Sequence, residues 1–521
     1  MSSSADKMLK ETLALLASRV PAAIDGRPPA VLETHISRVL LAGPYAFKLK
    51  RPVRLPYLDF STPEARLHAC QREFDLNRVN APQLYLSVCR ITRATGGMLE
   101  IDGDGPLVDA AIKMRRFNQS DLFNHLVDVG PLPLGTIALL AKVIAEAHER
   151  APVSPDPNGA FRMERVLDLN ATSFLSFPEL TIFPAVDTVL RQRLRGHCSL
   201  LDRRAMQSKV RRCHGDLHLG NICLLDGKPV LFDCLEFDDE LATTDVLYDL
   251  AFPLMDLLQR DRPAYANALF NRYLDERDED DGVALLPFFM AVRSCVRSLV
   301  LAQKTRLASA TTEANRRAAS TATCHYLEVA KRLLRPVAPQ LVAIGGFSGA
   351  GKSSVAAVFA HRVGCAPGAR ILNTDRIRKQ LYGVAPEQRL PEAAYQCDVS
   401  DRVYRSMLQR ARVLLNQGCS ALLDGVFDLP NRRRDAESLA KDLGLPFNGY
   451  WLHAPMDVRL ARVHTRMGNV SDATTRVLMA RGSGDLPVPG WVRVDATAGI
   501  DVIAAQISSD LTQPPHATVG Q

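Results

Sequence analysis

Two runs of residues in this chain have the types and spacing to handle phosphate. The first, Gly346-Phe347-Ser348-Gly349-Ala350-Gly351-Lys352-Ser353-Ser354, satisfies G-x-x-x-x-G-K-[ST]. Its glycines let backbone N–H groups turn inward around phosphate oxygens with no Cβ in the way. An apolar run at 341–344 leads in and a helix-compatible run at 354–362 leads out, which places the loop at a helix N-terminus whose dipole favours negative charge. Lys352 would reach the β- and γ-phosphates and Ser353 would hold Mg²⁺. The second run is His214-Gly215-Asp216-Leu217-His218-Leu219-Gly220-Asn221, an H-x-D-x-x-x-x-N spacing. Here Asp216 would take the proton of an attacking hydroxyl or orient that hydroxyl, and Asn221 would bind Mg²⁺. Asp233, in Phe232-Asp233-Cys234, would supply a second metal carboxylate. Two acids and an amide around a metal pair suit phosphoryl transfer, where the work is charge neutralisation and positioning.

Other candidates stand around these runs. Asp424 ends a strand-like run at 421–423, a position from which a carboxylate reaches Mg²⁺ or its water. Asp375 follows the second strand-like run of that half. By position alone it offers the N-cap of a helix beginning at Arg376. Arg459, Arg462 and Arg466 share one helix face, which by spacing alone reads as a solvated surface. Lys48 and Lys50 lie two apart in a strand-like run at 45–49, so they point the same way and periodicity does not choose between them. Glu73 sits on the helical stretch 63–77 that follows.

The elements that must position these residues fall into blocks. At 521 residues the chain is long enough for two to four domains. Hydrophobic residues at 47% and charged residues at 23% are globular values, which excludes a disordered chain, a collagen and a coiled-coil rod. The net charge of +7 suits phosphate-bearing ligands without arguing for nucleic acid. The 11 cysteines contain no C-x-x-C pair, which excludes zinc-ribbon and thioredoxin signatures and fits reduced thiols of a cytoplasmic protein. No run of 18 apolar residues predicts a membrane span, and Leu9, Leu13, Leu16 and Val20 recur as in an amphipathic first helix. A first domain is expected over 1–335, with a mixed lobe to about 115 and a mostly helical lobe after it, broken by a loop and hairpin at 213–237. The acidic run 275–281 reads as a solvated loop between helices. A linker follows at 336–340. From 341 to 512 strand-like and helical runs alternate, which predicts an α/β domain with a parallel sheet, and 513–521 reads as a flexible tail.

The His-Gly-Asp-Leu-His-x-x-Asn wording, with Asp249-Leu250-Ala251 downstream, resembles the aminoglycoside phosphotransferase and choline-kinase-like family. The resemblance implies an α+β, protein-kinase-like, two-lobed fold that binds ATP with Mg²⁺. It favours Lys48 over Lys50 as the phosphate ligand, paired with Glu73, gives Asp249 a bracing role, and places adenine against backbone near 113–117. The N-lobe has no G-x-G-x-x-G, and Cys234-Leu235 stand where protein kinases carry Phe-Gly, so a protein kinase is rejected. The stretch 340–510 resembles the P-loop kinases related to zeta toxins, gluconate kinases and chloramphenicol phosphotransferases, through Asp375-x-x-Arg378-Lys379 and Ser471-Asp472-Ala473. That likeness implies that Asp375 acts on the acceptor hydroxyl and that the arginines, Arg462 among them, form a lid. In order and extent the chain resembles bacterial bifunctional aminoglycoside phosphotransferase-like/ATP-binding proteins. Two ATP-dependent transfers to hydroxyls of small molecules are the expectation, with no nucleic-acid or membrane partner; the acceptors and the oligomeric state stay open. The alternative is a nucleotide-binding regulatory protein in which one half gates the other, and a toxin-like kinase of nucleotide sugars is a third reading.

Overall fold

Residues 2–18, 29–33, 36–55, 58–307, 313–385, 388–464 and 488–512 are described by the structure, a computed structural model. The chain divides into two compact units, one of 1–256 with 292–330 and one of 257–291 with 331–521.

The first unit opens with helix α1 (Ser2–Ser18), which buries Leu16 and half-buries Leu13 of the expected stripe, while Val20 lies outside the described residues. Six strands follow: β1 (Ala30–Glu33), β2 (Ser37–Ala42), β3 (Tyr45–Lys50), β4 (Tyr85–Arg93), β5 (Leu99–Ile101) and β6 (Leu107–Arg115). They form an antiparallel sheet in the order β1-β2-β3-β6-β4-β5. Register on β3 sets Lys48 opposite Val39 on one side and Ile112 on the other, so this lysine stands inside the sheet rather than at an edge. Helix α2 (Pro63–Asn77) starts where the Thr62 hydroxyl accepts from the Ala65 amide and proline occupies the first turn, both favourable at a helix start. It buries Ala69, Cys70, Glu73 and Asn77 at three- and four-residue spacing, so one helix face carries Glu73 to the sheet. Helix α3 (Leu134–Arg150) and the hairpin of β7 (Ile222–Leu225) and β8 (Lys228–Leu231) come next. In chain order they are followed by α4 (Val246–Gln259), α5 (Pro263–Glu276), α6 (Leu286–Leu307) and α7 (Glu313–Leu333). The run 280–306 is long and apolar enough to cross a membrane by length and composition, and 72% of its apolar window is buried inside the protein.

The second unit is built on β9 (Leu341–Gly345), β10 (Arg370–Asn373), β11 (Ala421–Asp424), β12 (Phe447–His453) and β13 (Val492–Asp495). All pairings are parallel and the order is β10-β11-β9-β12-β13, as the alternation of strand and helix predicts. β9 and β11 are buried throughout, which is why they read as unbroken apolar runs. Helices α8 (Lys352–Phe359), α9 (Thr374–Leu381) and α10 (Met456–His464) lie in this unit.

Strand β10 is an edge, and α5 covers it. Asn267 and Asn271, one turn apart on α5, do what a neighbouring strand would do. The Asn267 amide donates to the carbonyls of Pro367 and Ala369 at 3.0 and 3.2 Å. Asn271 accepts from the Ile371 amide at 2.7 Å and donates to Ala369 O at 3.1 Å. The sequence reading cuts the chain once, at 336–340; the packing instead joins 257–291 to the P-loop sheet. The acidic run is also not the solvated loop expected. Asp275 and Asp280 are buried and bracket Arg370, at 2.8 and 3.0 Å. Asp275 also pairs with Arg376 and Asp280 with Arg410. Those arginines come from 90 to 130 residues downstream, so nothing local in the acidic run announces them.

Asp280→Ala leaves Arg370 and Arg410 short of a carboxylate in a buried setting and is expected to cost about 3–5 kcal/mol. Asp442→Ala breaks the exposed pair with Arg412 and is expected to cost about 0–1 kcal/mol. Urea unfolding followed by the fluorescence of Trp451 and Trp491, both in the second unit, compares them. Equal losses would contradict the role given to Asp280.

Candidate active sites

In the first unit the chain brings β3, α2, the 214–221 loop and the turn after β8 to one place. Lys48 Nζ lies 2.8 Å from Glu73 Oε1 and 2.5 Å from Asp233 Oδ1. Lys50 lies deeper, fully buried, 2.6 Å from Glu73 Oε2 and paired with Glu236. The choice that periodicity left open is therefore made by reach: Lys48 is the lysine that meets Asp233. Burial alone would lower the Lys48 ammonium; the charges of Asp233 and Glu73 outweigh it and hold the pKa well above its ordinary value. Burial would raise the Asp233 carboxyl, and Lys48, by charge and hydrogen bond, leads the groups that hold it below the usual range. Asp233 has φ +60°, a left-handed conformation unusual for a residue other than glycine. The turn is held from the N-lobe side. The Asp233 amide donates to the Tyr85 hydroxyl at 3.1 Å and the Cys234 amide to Asn77 Oδ1 at 2.9 Å.

Asp216 and Asn221 face this turn. Asn221 Nδ2 donates to Asp216 O at 2.9 Å and Oδ2 at 3.1 Å, and approaches Asp233 O at 3.5 Å. Its amide oxygen and the Asp233 carboxylate are hard oxygen donors of the kind Mg²⁺ takes, and Lys48 now supplies Asp233 with positive charge. Burial would raise the Asp216 carboxyl; His218, Arg297, His214 and Arg293 oppose it and leave the pKa below its ordinary value, so the group is a carboxylate at neutral pH. Its side chain is 40% exposed, open to an acceptor.

Asp249 is the brace. It accepts from the amides of His214 at 3.2 Å and Gly215 at 2.9 Å and from the His148 ring at 3.1 Å. Gly215 has φ +82°, and a Cβ there would sit 3.2 Å from the Ala242 backbone, so glycine is required in the loop. His148, Cys213 and Asp249 lie close enough to hold a metal. Hydrogen bonds already engage both Asp249 oxygens, and Cys213 Sγ faces Thr244 O at 3.6 Å, so the trio reads as a structural brace.

In the second unit the loop between β9 and α8 takes the shape its glycines allow. Gly346, Gly349 and Gly351 have φ of +140°, +84° and +95°. A Cβ on Gly349 would meet Arg459 O at 2.8 Å, and one on Gly346 would meet Leu452 O at 2.5 Å. Ala350 is buried beneath the loop, Ser348 is half-buried, and Ser354 lies in the first turn of α8. Lys352 begins α8, and its Nζ donates to Phe347 O at 3.2 Å, folded over the loop. Asn373 Nδ2 joins Ser353 Oγ at 3.4 Å to Asp424 Oδ2 at 2.5 Å. Asp424 Oδ1 is buried with no hydrogen-bond partner, a donor that a divalent cation or its water would satisfy. Ser353 and Asp424 thus fit the metal assigned to them.

Asn373 is the residue that sequence reasoning missed. Its Oδ1 accepts from the amides of Asp375 and Arg376 at 2.9 and 3.0 Å, so Asn373, not Asp375, caps α9. An asparagine directly before a helix was the available signal. Asp375 stands in the first turn, half-buried, two residues past that link. Arg462 Nη1 approaches Ala350 O at 3.5 Å, and Arg459 is buried with its guanidinium over the Phe347 ring, so a solvated face does not describe these two. Arg466, Ser471, Asp472, Ala473 and the tail 513–521 lie outside the described residues.

Residues 137–285 match the Phosphotransferase enzyme family and residues 341–482 match the AAA domain family. Uncharacterised proteins of Mycobacterium tuberculosis and Mycobacterium bovis are 31% identical to this chain over 480 residues, 90% of this chain and 92% of theirs. A choline/ethanolamine kinase family protein of Mesorhizobium loti is similar at 13% identity, over 62% of this chain and 99% of that one, with a TM-score of 0.36. An APS kinase of Mycobacterium tuberculosis in complex with AMPPNP and APS is similar at 19% identity, over 34% and 100%, with a TM-score of 0.25. A gluconokinase of Sinorhizobium meliloti is similar at 20% identity, over 33% and 95%, with a TM-score of 0.24.

Burial would raise the Asp249 carboxyl, but the His148 hydrogen bond and the charges of His148, His214 and Arg293 bring it down to about 2. An unfolded aspartate titrates near ~3.9. The folded value is the lower, so the stabilisation is whole above about pH 4 and fades as pH falls toward 2. Amide exchange in a peptide spanning 213–216 should be slower in the wild type than in Asp249→Asn above pH 5. The two should converge between pH 4 and 2, and a gap that stays constant to pH 2 contradicts the brace.

Proposed function

Since the chain belongs to the family of its mycobacterial relatives, with a phosphotransferase-family domain ahead of a P-loop kinase domain, we propose that each half transfers the γ-phosphoryl group of ATP to a hydroxyl of a small molecule. The observation that carries this reading is the convergence of Lys48, Glu73, Asp216, Asn221 and Asp233, with Lys48 and Asp233 meeting across 185 residues of chain. Positioned charge of this kind is what the reaction needs, and a fold has no structural reason to gather it at an open carboxylate.

In the first half Lys48, fixed by Glu73, meets phosphate oxygens. Asn221 and Asp233 would hold Mg²⁺, which neutralises charge on the phosphates when bound. Asp216 receives the proton as the acceptor oxygen bonds to the γ-phosphorus and the bond to the bridging oxygen of ADP breaks. In the second half the loop from Gly346 to Ser354 cradles the phosphates with backbone amides, and Lys352 adds a point charge. Ser353 and Asp424 would hold the metal. Asp375 stands for the acceptor hydroxyl and Arg462 covers the loop. The acceptors are small hydroxylated molecules and the setting is cytoplasmic.

Transfer of label from γ-³²P ATP to a panel of sugars, sugar acids and amino alcohols by the intact chain tests this. Asp216→Ala is expected to remove transfer to one set of acceptors by about 10²–10⁴-fold while ATP still binds. Lys352→Ala is expected to remove transfer to another set. Asp233→Asn should weaken Mg·ATP binding, read by Mg²⁺ titration, more than Asp216→Ala does, because it takes charge from the metal itself. Transfer that survives all three substitutions would place the chemistry elsewhere.

A further inference from the structure

The positive charge around Asp216 exceeds what the phosphoryl-transfer groups need. On one flank stand Lys48, Asn221 and Asp233. On the other stands α6. Arg293 of that helix donates to Gly215 O at 3.0 Å and lies 3.6 Å from Asp249 Oδ1, its guanidinium over the rings of Tyr248 and Phe252 at 3.8 and 4.6 Å. This fastens the helix against the residue next to Asp216. At ~100° per residue, Arg297 and Lys304 project within about 40° of Arg293, so the same face carries them past the catalytic loop.

Arg297 is half-buried, and its Nε is buried with no hydrogen-bond acceptor. Among the described residues no carboxylate is paired with Arg297 or Lys304. His218, 3.6 Å from Asp216, adds a third basic group. The nearby acid Asp256 already accepts from the Leu219 amide at 3.0 Å. A guanidinium nitrogen removed from water without an acceptor is costly. Asp216 cannot serve as its permanent counter-ion and also receive the proton.

The electrostatics separate the flanks. Lys48 and Lys50 are the cations that act most on Asp233, while His218, Arg297, His214 and Arg293 act on Asp216. Desolvation and then the Arg297 charge hold the Lys304 ammonium below its ordinary value, with Asp216 opposing them.

We infer that the acceptor of the first half carries an anionic group, a phosphate or a carboxylate, held by Arg297 and Lys304 while its hydroxyl meets Asp216. The inference rests on the transfer reading of this half. It reverses the charge of the acceptor that an aminoglycoside-kinase likeness suggests.

The test uses the intact chain with Lys352→Ala, so that transfer reports the first half. The acceptors are matched sets: glycerol, glycerate and glycerol 3-phosphate; glucose, gluconate and glucose 6-phosphate; and ethanolamine and kanamycin as cations. An anionic member should exceed its neutral parent in kcat/KM by about tenfold or more, the scale of one charge-assisted hydrogen bond. The carboxylate and phosphate arms tell the two anions apart. Arg297→Gln and Lys304→Gln should each raise KM for that acceptor, leaving KM for ATP in place, and Arg297→Lys should recover part of the loss. Lys304→Gln, at an exposed residue, keeps the test valid if Arg297→Gln does not fold. Equal use of neutral parents, preference for the cations, or discrimination that survives both substitutions overturns the anion site while leaving the kinase reading intact. If no acceptor is phosphorylated, calorimetry with the same compounds decides. Binding of an anionic member that is lost in Arg297→Gln supports the anion site and removes the kinase reading, and no binding of any anionic member overturns the site.

Discussion

The ion pair between Lys48 and Asp233 is the interaction on which the first unit's site depends. It joins a strand of the N-terminal sheet to the turn after a C-lobe hairpin, and each partner sets the charge state of the other. Most of the surrounding structure serves to hold that pair. Glu73 is carried to Lys48 by the buried face of α2, Asn77 of the same helix catches the Cys234 amide, and Tyr85 catches the Asp233 amide. The left-handed backbone at Asp233 persists because these contacts over-determine it. Lys50 meets the other Glu73 oxygen and pairs in turn with Glu236, so the ionic network continues beyond Lys48.

The second unit meets the same demand for positive charge with backbone. Glycines at positive φ shape the loop at a helix start, the arrangement in which backbone amides favour an anion. The side-chain work falls to a short chain of groups, Ser353, Asn373 and Asp424, that ends in a carboxylate oxygen with no protein partner. The edge of that sheet is finished by Asn267 and Asn271 and by the carboxylates of Asp275 and Asp280, which pin Arg370 and reach the helix carrying Asp375 through Arg376. A substitution in the acidic run therefore acts on the P-loop sheet, although the sequence places that run far from it.

What the sequence made legible was whatever is local. The phosphate loop, the His-Gly-Asp loop, the hairpin after it, the helix 63–77 and the strand alternation beyond 341 are each written in one continuous stretch, and the fold class follows from their order. Partnerships between distant stretches were not legible. Lys48 and Lys50 have the same alternation, and only the position of Asp233 in space separates them. The acidic run looked solvated because its arginines come from elsewhere in the chain. The cap reading of Asp375 fails because Asn373, which the sequence reading did not weigh, accepts from the Asp375 and Arg376 amides. Arg459 looked like part of a surface, yet it packs on Phe347 and the backbone of Gly349.

The central claim is that one chain holds two separate phosphate sites, each with its own lysine and its own metal oxygens. Isothermal calorimetry of the intact chain with Mg²⁺ and a non-hydrolysable ATP analogue measures this most directly. The account predicts two sites per chain in the wild type and one in Lys352→Ala, with the remaining site carrying the affinity of the Lys48 cleft. A single site in the wild type, lost altogether in Lys352→Ala, would contradict it and make the first unit a scaffold that binds no nucleotide.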